Sequence, residues 1–94
     1  MKQQQFNRIA KALADPRRME ILENLARKEE ISCGELADLF PVGQSTISHH
    51  LKILTDAEIV VVRRDGQHGY FSLQRSILHS YFARLQDKLG SFSG

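Results

Sequence analysis

Six residues within a stretch of nine, Gln44, Ser45, Thr46, Ser48, His49 and Lys52, bring amide, hydroxyl, imidazole and ammonium groups together. Amide, hydroxyl and imidazole groups each supply a donor, an acceptor or both, so this density suits the reading of another molecule's polar edges. Arg63, Arg64, Gln67 and His68 form a second such group. Serines, histidines and acids also serve nucleophilic catalysis, but the spacing here is wrong for it. Ser48 and His49 are neighbours in a helical pattern and cannot face one another. The chain has no Gly-x-Ser-x-Gly elbow, no phosphate-cradling glycine loop and no Gly-x-Gly-x-x-Gly string. At 94 residues and 10.7 kDa it lacks room for a deep substrate pocket, and no enzymatic activity is expected. Cys33 is the one cysteine, which excludes an internal disulfide and a cysteine-pair metal knuckle and fits a reducing cytoplasm. His49 and His50 are adjacent and make a poor chelate. His79 and Asp87 stand eight residues apart, about 12 Å along a helix axis, too far to share one ion unless a second chain contributes. No cofactor is expected.

These groups must be positioned by a small core. Hydrophobic residues make up 41% of the chain, charged residues 26%, and Gly and Pro are few, the profile of a compact, helix-rich protein. Ile59–Val62 is the longest apolar run, far short of a bilayer span, and Met1–Gln5 has no apolar signal-peptide core; no membrane association is expected. The net charge of +2 is unevenly spread: residues 1–19 carry +4, residues 20–38 carry −4 and residues 39–94 carry +2. The acidic middle cannot lie on an anion-binding face.

Phe6, Ile9, Ala10 and Leu13 recur at helical spacing, predicting a helix over about residues 3–14. Asp15 then caps a second helix with Pro16 at its first position, and Met19, Ile21, Leu22 and Leu25 form its buried stripe to about Arg27. Ser32-Cys33-Gly34-Glu35 reads as a capping box opening a short helix through Phe40, with Leu36, Leu39 and Phe40 inward. Pro41-Val42-Gly43 forces a turn. A fourth helix runs from Gln44 to about Asp56, with Ile47, Leu51 and Leu54 as its apolar stripe. Ile59 to Arg64, a turn at Asp65-Gly66, and Tyr70 to Leu73 predict a β-hairpin whose tip carries Arg63, Arg64, Gln67 and His68. Ile77, Leu78, Tyr81, Phe82, Leu85 and Leu89 give a last helix an apolar band wider than so small a core can cover.

The expected architecture is therefore mainly α with a small β-hairpin wing, in the order α-α-α-α-β-β-α, over a single domain spanning residues 1–94: a winged helix-turn-helix. A helix about 10–12 Å wide fits the roughly 12 Å major groove of B-form DNA. Gln44 can pair bidentately with adenine, Ser45 and Ser48 can donate or accept, and His49 can donate to guanine or phosphate. Thr46 and Lys52 suit phosphate oxygens, as do the hairpin residues Arg63, Arg64, Gln67 and His68. Two other readings stay open: an ordinary solvated helix face, and a winged helix that docks a protein. The second is disfavoured because protein-binding hot spots use Trp, Tyr and bulky apolar anchors.

Ala14-Asp15-Pro16-Arg17-Arg18 with Ile21-Leu22, Glu35-Leu36-Ala37, the string Gln44-Ser45-Thr46-Ile47-Ser48-His49-His50-Leu51-Lys52-Ile53-Leu54, and Arg63-Arg64-Asp65-Gly66-Gln67 with Tyr70 together resemble the ArsR/SmtB family of bacterial winged-helix repressors. The resemblance implies a cytoplasmic homodimer built from the first and last helices, presenting two fourth helices to double-stranded DNA at an inverted-repeat operator. Phe6, Ile9, Leu13, Tyr81, Phe82 and Leu85 are the candidates for the dimer seam, with intramolecular core as the alternative. Many relatives release DNA on binding metal, and here the chain departs from the pattern. The paired third-helix cysteines of such sensors fall at Ser32 and Gly34, and the last-helix zinc ligands at Arg75, Ile77, Lys88 and Ser91, so metal responsiveness is not expected. Cys33 has no second thiol to resolve a sulfenic acid and reads as inert. The chain resembles relatives without an identified inducer, and any inducing signal is not readable from the sequence.

Overall fold

Short signals in the chain set where each helix begins. Asp15 accepts the amide of Arg18 through Oδ2 at 2.9 Å, and Pro16 opens α2 (Pro16–Arg27) behind α1 (Gln3–Leu13). The hydrogen bond from Arg18, the largest influence, holds the Asp15 carboxyl below its usual range. The capping box forms as expected: Glu35 N donates to Ser32 Oγ at 3.1 Å and Ser32 N to Glu35 Oε1 at 3.2 Å, starting α3 (Cys33–Asp38). The computed structural model describes residues 1–90, and continues with α4 (Gln44–Asp56), a hairpin of β2 (Val60–Asp65) and β3 (His68–Leu73), and α5 (Arg75–Leu89).

One element was not foreseen. Ile31–Ser32 forms β1, which joins the outer edge of β3 to give an antiparallel sheet in the order β1-β3-β2. Ile31 pairs with Phe71 and Ser32 with Tyr70, so the hairpin is stitched to the segment between α2 and α3. Two residues are too few to show the alternation that marks a strand. The hairpin turn also sits one residue later than expected. Asp65 pairs with His68, leaving Gly66 and Gln67 as the loop, and Gly66 takes φ +61° at the first loop position, where a type II′ hairpin calls for glycine. Gly69 serves a different purpose: a Cβ there would lie 3.3 Å from both Arg64 Nη1 and Val62 Cγ2.

The core is assembled from every helix and the sheet. Ile9, Ile21, Leu25, Leu36, Ile47, Leu51, Leu54, Ile59 and Val60 are fully buried. The α4 stripe of Ile47, Leu51 and Leu54 lies in it as the spacing predicts. Two residues expected inside are not there. Met19 is 39% exposed, because at 100° per residue it falls roughly a third of a turn from the arc centred on Ile21, Leu22 and Leu25. Leu39 is 56% exposed, since α3 ends at Asp38 rather than Phe40 and the four-residue spacing of Leu36 and Phe40 takes the inward line. Glu58, just beyond α4, has φ +68°, the left-handed conformation that ends many helices and that glycine favours. Its Oε2 accepts from Gln5 Nε2 at 3.0 Å, which ties this turn to α1.

Removing the α2 cap tests the helix-start argument. Asp15→Ala is expected to lower unfolding free energy by about 1 kcal/mol, the usual worth of an N-cap, read as a lowered urea midpoint. Because the folded carboxyl titrates below its ordinary 3.8, its contribution is present above that value and lost as pH falls through the folded one. The deficit should therefore be complete at neutral pH and vanish in strong acid.

Candidate nucleic-acid interface

α4 is two-faced. Ile47, Leu51 and Leu54 hold it to the core, while Gln44, Ser45, Thr46, Ser48, His49 and Lys52 are all exposed. Gly43 occupies the cap position without a side-chain hydrogen bond, so no side chain covers the positive end of the helix dipole. Lys52 pairs with Asp56 at 3.2 Å, but both side chains are largely exposed, and such a pair yields readily to a competing phosphate. Gln44 lies against the thiol of Cys33, and the two share a shallow cleft with Gln67 and His68 at the hairpin turn. Burial, only partly offset by the nearby Gln44 amide, pushes the half-buried Cys33 thiol up, which disfavours the reactive thiolate.

The hairpin stands beside this face. Ser48, Lys52 and Arg64 line one groove between α4 and β2. Arg63 is differently placed from Arg64 and is not at the tip: it pairs with Tyr70 in mid-strand. Its guanidinium donates to Glu30 through Nη2 at 2.7 Å and Nε at 3.2 Å and lies 4.7 Å over the Tyr70 ring. The same hydrogen bonds hold the Glu30 carboxyl below its ordinary value and raise Arg63. Glu30 was not singled out from the sequence, and with the partners 33 positions apart there is no local signal that would find it.

Of the six seam candidates on the first and last helices, three are enclosed by their own chain. Ile9 has no exposed surface; Phe6 and Tyr81 are buried and stack at 4.7 Å. Leu13 and Leu85 are half-buried, and Phe82 is 54% exposed, with Leu89 further along α5 at 66%. Lys88 Nζ bridges the two helices, donating to Gln3 Oε1 at 2.7 Å and lying 5.0 Å over Phe6.

Of the positions at which the resemblance would place metal ligands, three are occupied by groups with other partners or a positive charge. Ser32 is spent on the α3 cap, Arg75 donates to the Ala26 carbonyl at 3.1 Å, and Lys88 is the cation over Phe6. Ser91 lies outside the described residues. Among the described residues no helix is long and apolar enough to cross a membrane.

Two helices joined by a tight turn, the second presenting a polar face beside a basic hairpin, define a winged helix-turn-helix. A helix-turn-helix domain family matches residues 13–63. The transcriptional repressor SdpR of Bacillus subtilis is 39% identical over 73 residues, 78% of this chain and 80% of its own length. The arsenical resistance operon repressor of Staphylococcus aureus is 36% identical over 85 residues, 90% of this chain and 81% of its own. In solution, a homodimeric winged helix-turn-helix DNA-binding domain from Mycobacterium bovis has a similar structure, with TM-score 0.74 and 27% identity over 97% of this chain and 83% of that one. The chain belongs to the ArsR/SmtB family of transcriptional regulators.

Proposed function

We propose that this chain is a homodimeric repressor that occupies an inverted-repeat operator, inserting α4 into the major groove of each half-site. The observation that carries this reading is the exposed row of Gln44, Ser45, Ser48 and His49 on a helix whose opposite face is locked in the core. Those four read base edges; Thr46, Lys52 and the α4 N-terminal amides hold phosphates. Arg64, Gln67 and His68 supply the wing contacts, while Arg63, clamped by Glu30, serves the wing chiefly by orienting it. The dimer forms through Phe82 and the flanking half-buried Leu13 and Leu85, with Phe6, Ile9 and Tyr81 backing that surface from within. Two α4 helices then sit about one DNA turn apart, roughly 34–36 Å. DNA release does not depend on metal, because Arg75 and Lys88 put positive charge at two of the positions a zinc site would use.

Fluorescence anisotropy on a duplex selected from a random pool, against a scrambled duplex, tests the assignment. Gln44→Ala or Ser48→Ala should cost about 1–3 kcal/mol on the selected duplex and relax its sequence preference. Arg64→Ala should weaken both duplexes alike, with a shallower salt dependence. Equal losses on both duplexes for Gln44→Ala would show that it does not read bases.

Phe82→Glu should shift the protein from dimer to monomer in sedimentation, with little change in helicity, since that ring is mostly exposed within its own chain. A dimer that persists unchanged would move the seam elsewhere. Chelator-washed protein should bind the selected duplex equally with and without added zinc; release on zinc addition would overturn the metal-independent reading.

A further inference from the structure

Three helices meet at one guanidinium. Arg18, in the first turn of α2, donates through Nε to the carbonyl of Ala12 at 2.8 Å and through Nη2 to that of Lys11 at 3.1 Å, which also accepts the amide of Ala14, so the guanidinium closes over the end of α1. Its remaining nitrogen, Nη1, lies 3.4 Å from Nδ1 of His50 on α4. Its own backbone amide is held by the Asp15 cap. The fork is therefore fixed on two sides before it touches α4, and both side chains are half-buried. His50 follows directly on His49 but is half-buried where His49 is exposed, and the two ring planes make an angle of 49°.

We infer that Arg18 and His50 are positioning residues for α4: the guanidinium, anchored to the end of α1, sets the rotation of the recognition helix through an imidazole that must be neutral to accept it. The inference rests on the DNA-reading role of α4 proposed above. Arginine offers donors only, so the contact requires an unprotonated Nδ1 and places the imidazole proton on Nε2. A protonated His50 would lose the acceptor and set a second cation against the first. Burial, the largest influence, lowers His50 below its ordinary value; Asp15 opposes this, while Arg18, His49 and Arg17 add to it. The neutral form thus prevails at pH 7, and the contact fails only as pH falls below the ordinary histidine value of about 6.5. The sign is the reverse of that for a surface histidine on phosphate, where protonation strengthens binding.

The test has one arm without DNA and one with it. Nitrogen-15 spectra of the full chain at pH 7.5 should show the Nε2-protonated tautomer at His50, and Arg18→Gln should raise the pH at which it titrates; an Nδ1-protonated ring would overturn the inference by itself. In the second arm, the ratio of affinities for the selected and scrambled duplexes is followed from pH 7.5 to 5.5 at constant ionic strength. For the wild type it should fall about fivefold, the worth of one net hydrogen bond. His50→Asn, whose Oδ1 replaces the Nδ1 acceptor and does not titrate, should keep the ratio and flatten its pH dependence. His50→Leu should lower it at every pH. If the wild type discriminates between duplexes but His50→Leu keeps both the ratio and the pH profile, positioning by this pair is refuted while the DNA reading stands. A wild type with no duplex preference, combined with the expected tautomer, removes the DNA reading instead, and with it the consequence assigned to the contact. Arg18→Lys, which keeps the charge but not the three-way fork, should retain the fold by circular dichroism and show the same loss of ratio as His50→Leu.

Discussion

Burial of Ile47, Leu51 and Leu54 is the constraint on which the rest of the structure depends. Each is fully or almost fully removed from water, and each such burial contributes about 1.5–3 kcal/mol. No rotation of α4 about its axis could expose this stripe without forfeiting most of that. The polar side is consequently held outward by the core, and the freedom to vary Gln44, Ser45, Ser48 and His49 comes at little cost in stability, because exposed helix positions contribute only tenths of a kcal/mol each. A chain built this way can change what its surface reads while keeping the same fold. The apolar stripe fixes which side of α4 faces solvent; finer rotation and tilt are left to contacts such as that of Arg18 with His50.

The hairpin solves a different problem. Two strands alone are marginal in water, and β2 exposes Val61 and Val62 as well as its charged residues. Rigidity comes from outside the hairpin: β1 pairs with β3 at Ile31 and Ser32, and Glu30, the residue just before β1, clamps Arg63 over Tyr70. The −4 segment has its part here, since one of its carboxylates is spent on the wing base instead of facing a polyanion. The two adjacent arginines then differ by their partners. Arg63 has a carboxylate and a ring, and Arg64, opposite Gly69, shares a groove with Ser48 and Lys52.

What was legible in the sequence follows the range of the interactions involved. Helix starts at Pro16, Cys33 and Gln44 depend on residues within three or four positions, and the caps at Asp15 and Ser32 formed where the side chains called for them. The buried stripe of α4 and the surplus on α5 were readable from period alone. Failures concentrate where the deciding partner is distant. β1 exists because Phe71 and Tyr70 lie forty residues on to pair with it, and Arg63 leaves the tip because of register and Glu30. The misplacement of Met19 and Leu39 is of another kind: both are apolar and near a true stripe, but Met19 stands a third of a turn from it and Leu39 lies just past the end of α3. At α1 and α5 the period marked apolar positions without telling enclosed ones from exposed ones, which is why Ile9 and Phe82 looked alike in sequence and differ in exposure, 0% against 54%.

The exposed end of that apolar band bears on how so small a reader could be specific. A single α4 offers the four exposed side chains proposed above to read bases, and each good contact discriminates by about 1–3 kcal/mol at most. One copy would then need every contact well made to reach the discrimination, about 4–10 kcal/mol, that separates a regulator's operator from competing DNA. Pairing two copies doubles the number of contacts and makes the spacing of the half-sites a further condition for binding, without enlarging the chain. The surface that could do this is already apolar and already outside the core: Phe82 and Leu89 stand on α5, braced from below by the stacked rings of Phe6 and Tyr81 and by the Lys88 bridge to α1. In a domain with so little interior, leaving two large apolar side chains in water is a standing cost that pairing would remove. On this reading the same excess that makes the isolated chain look poorly finished supplies both its partner and its specificity.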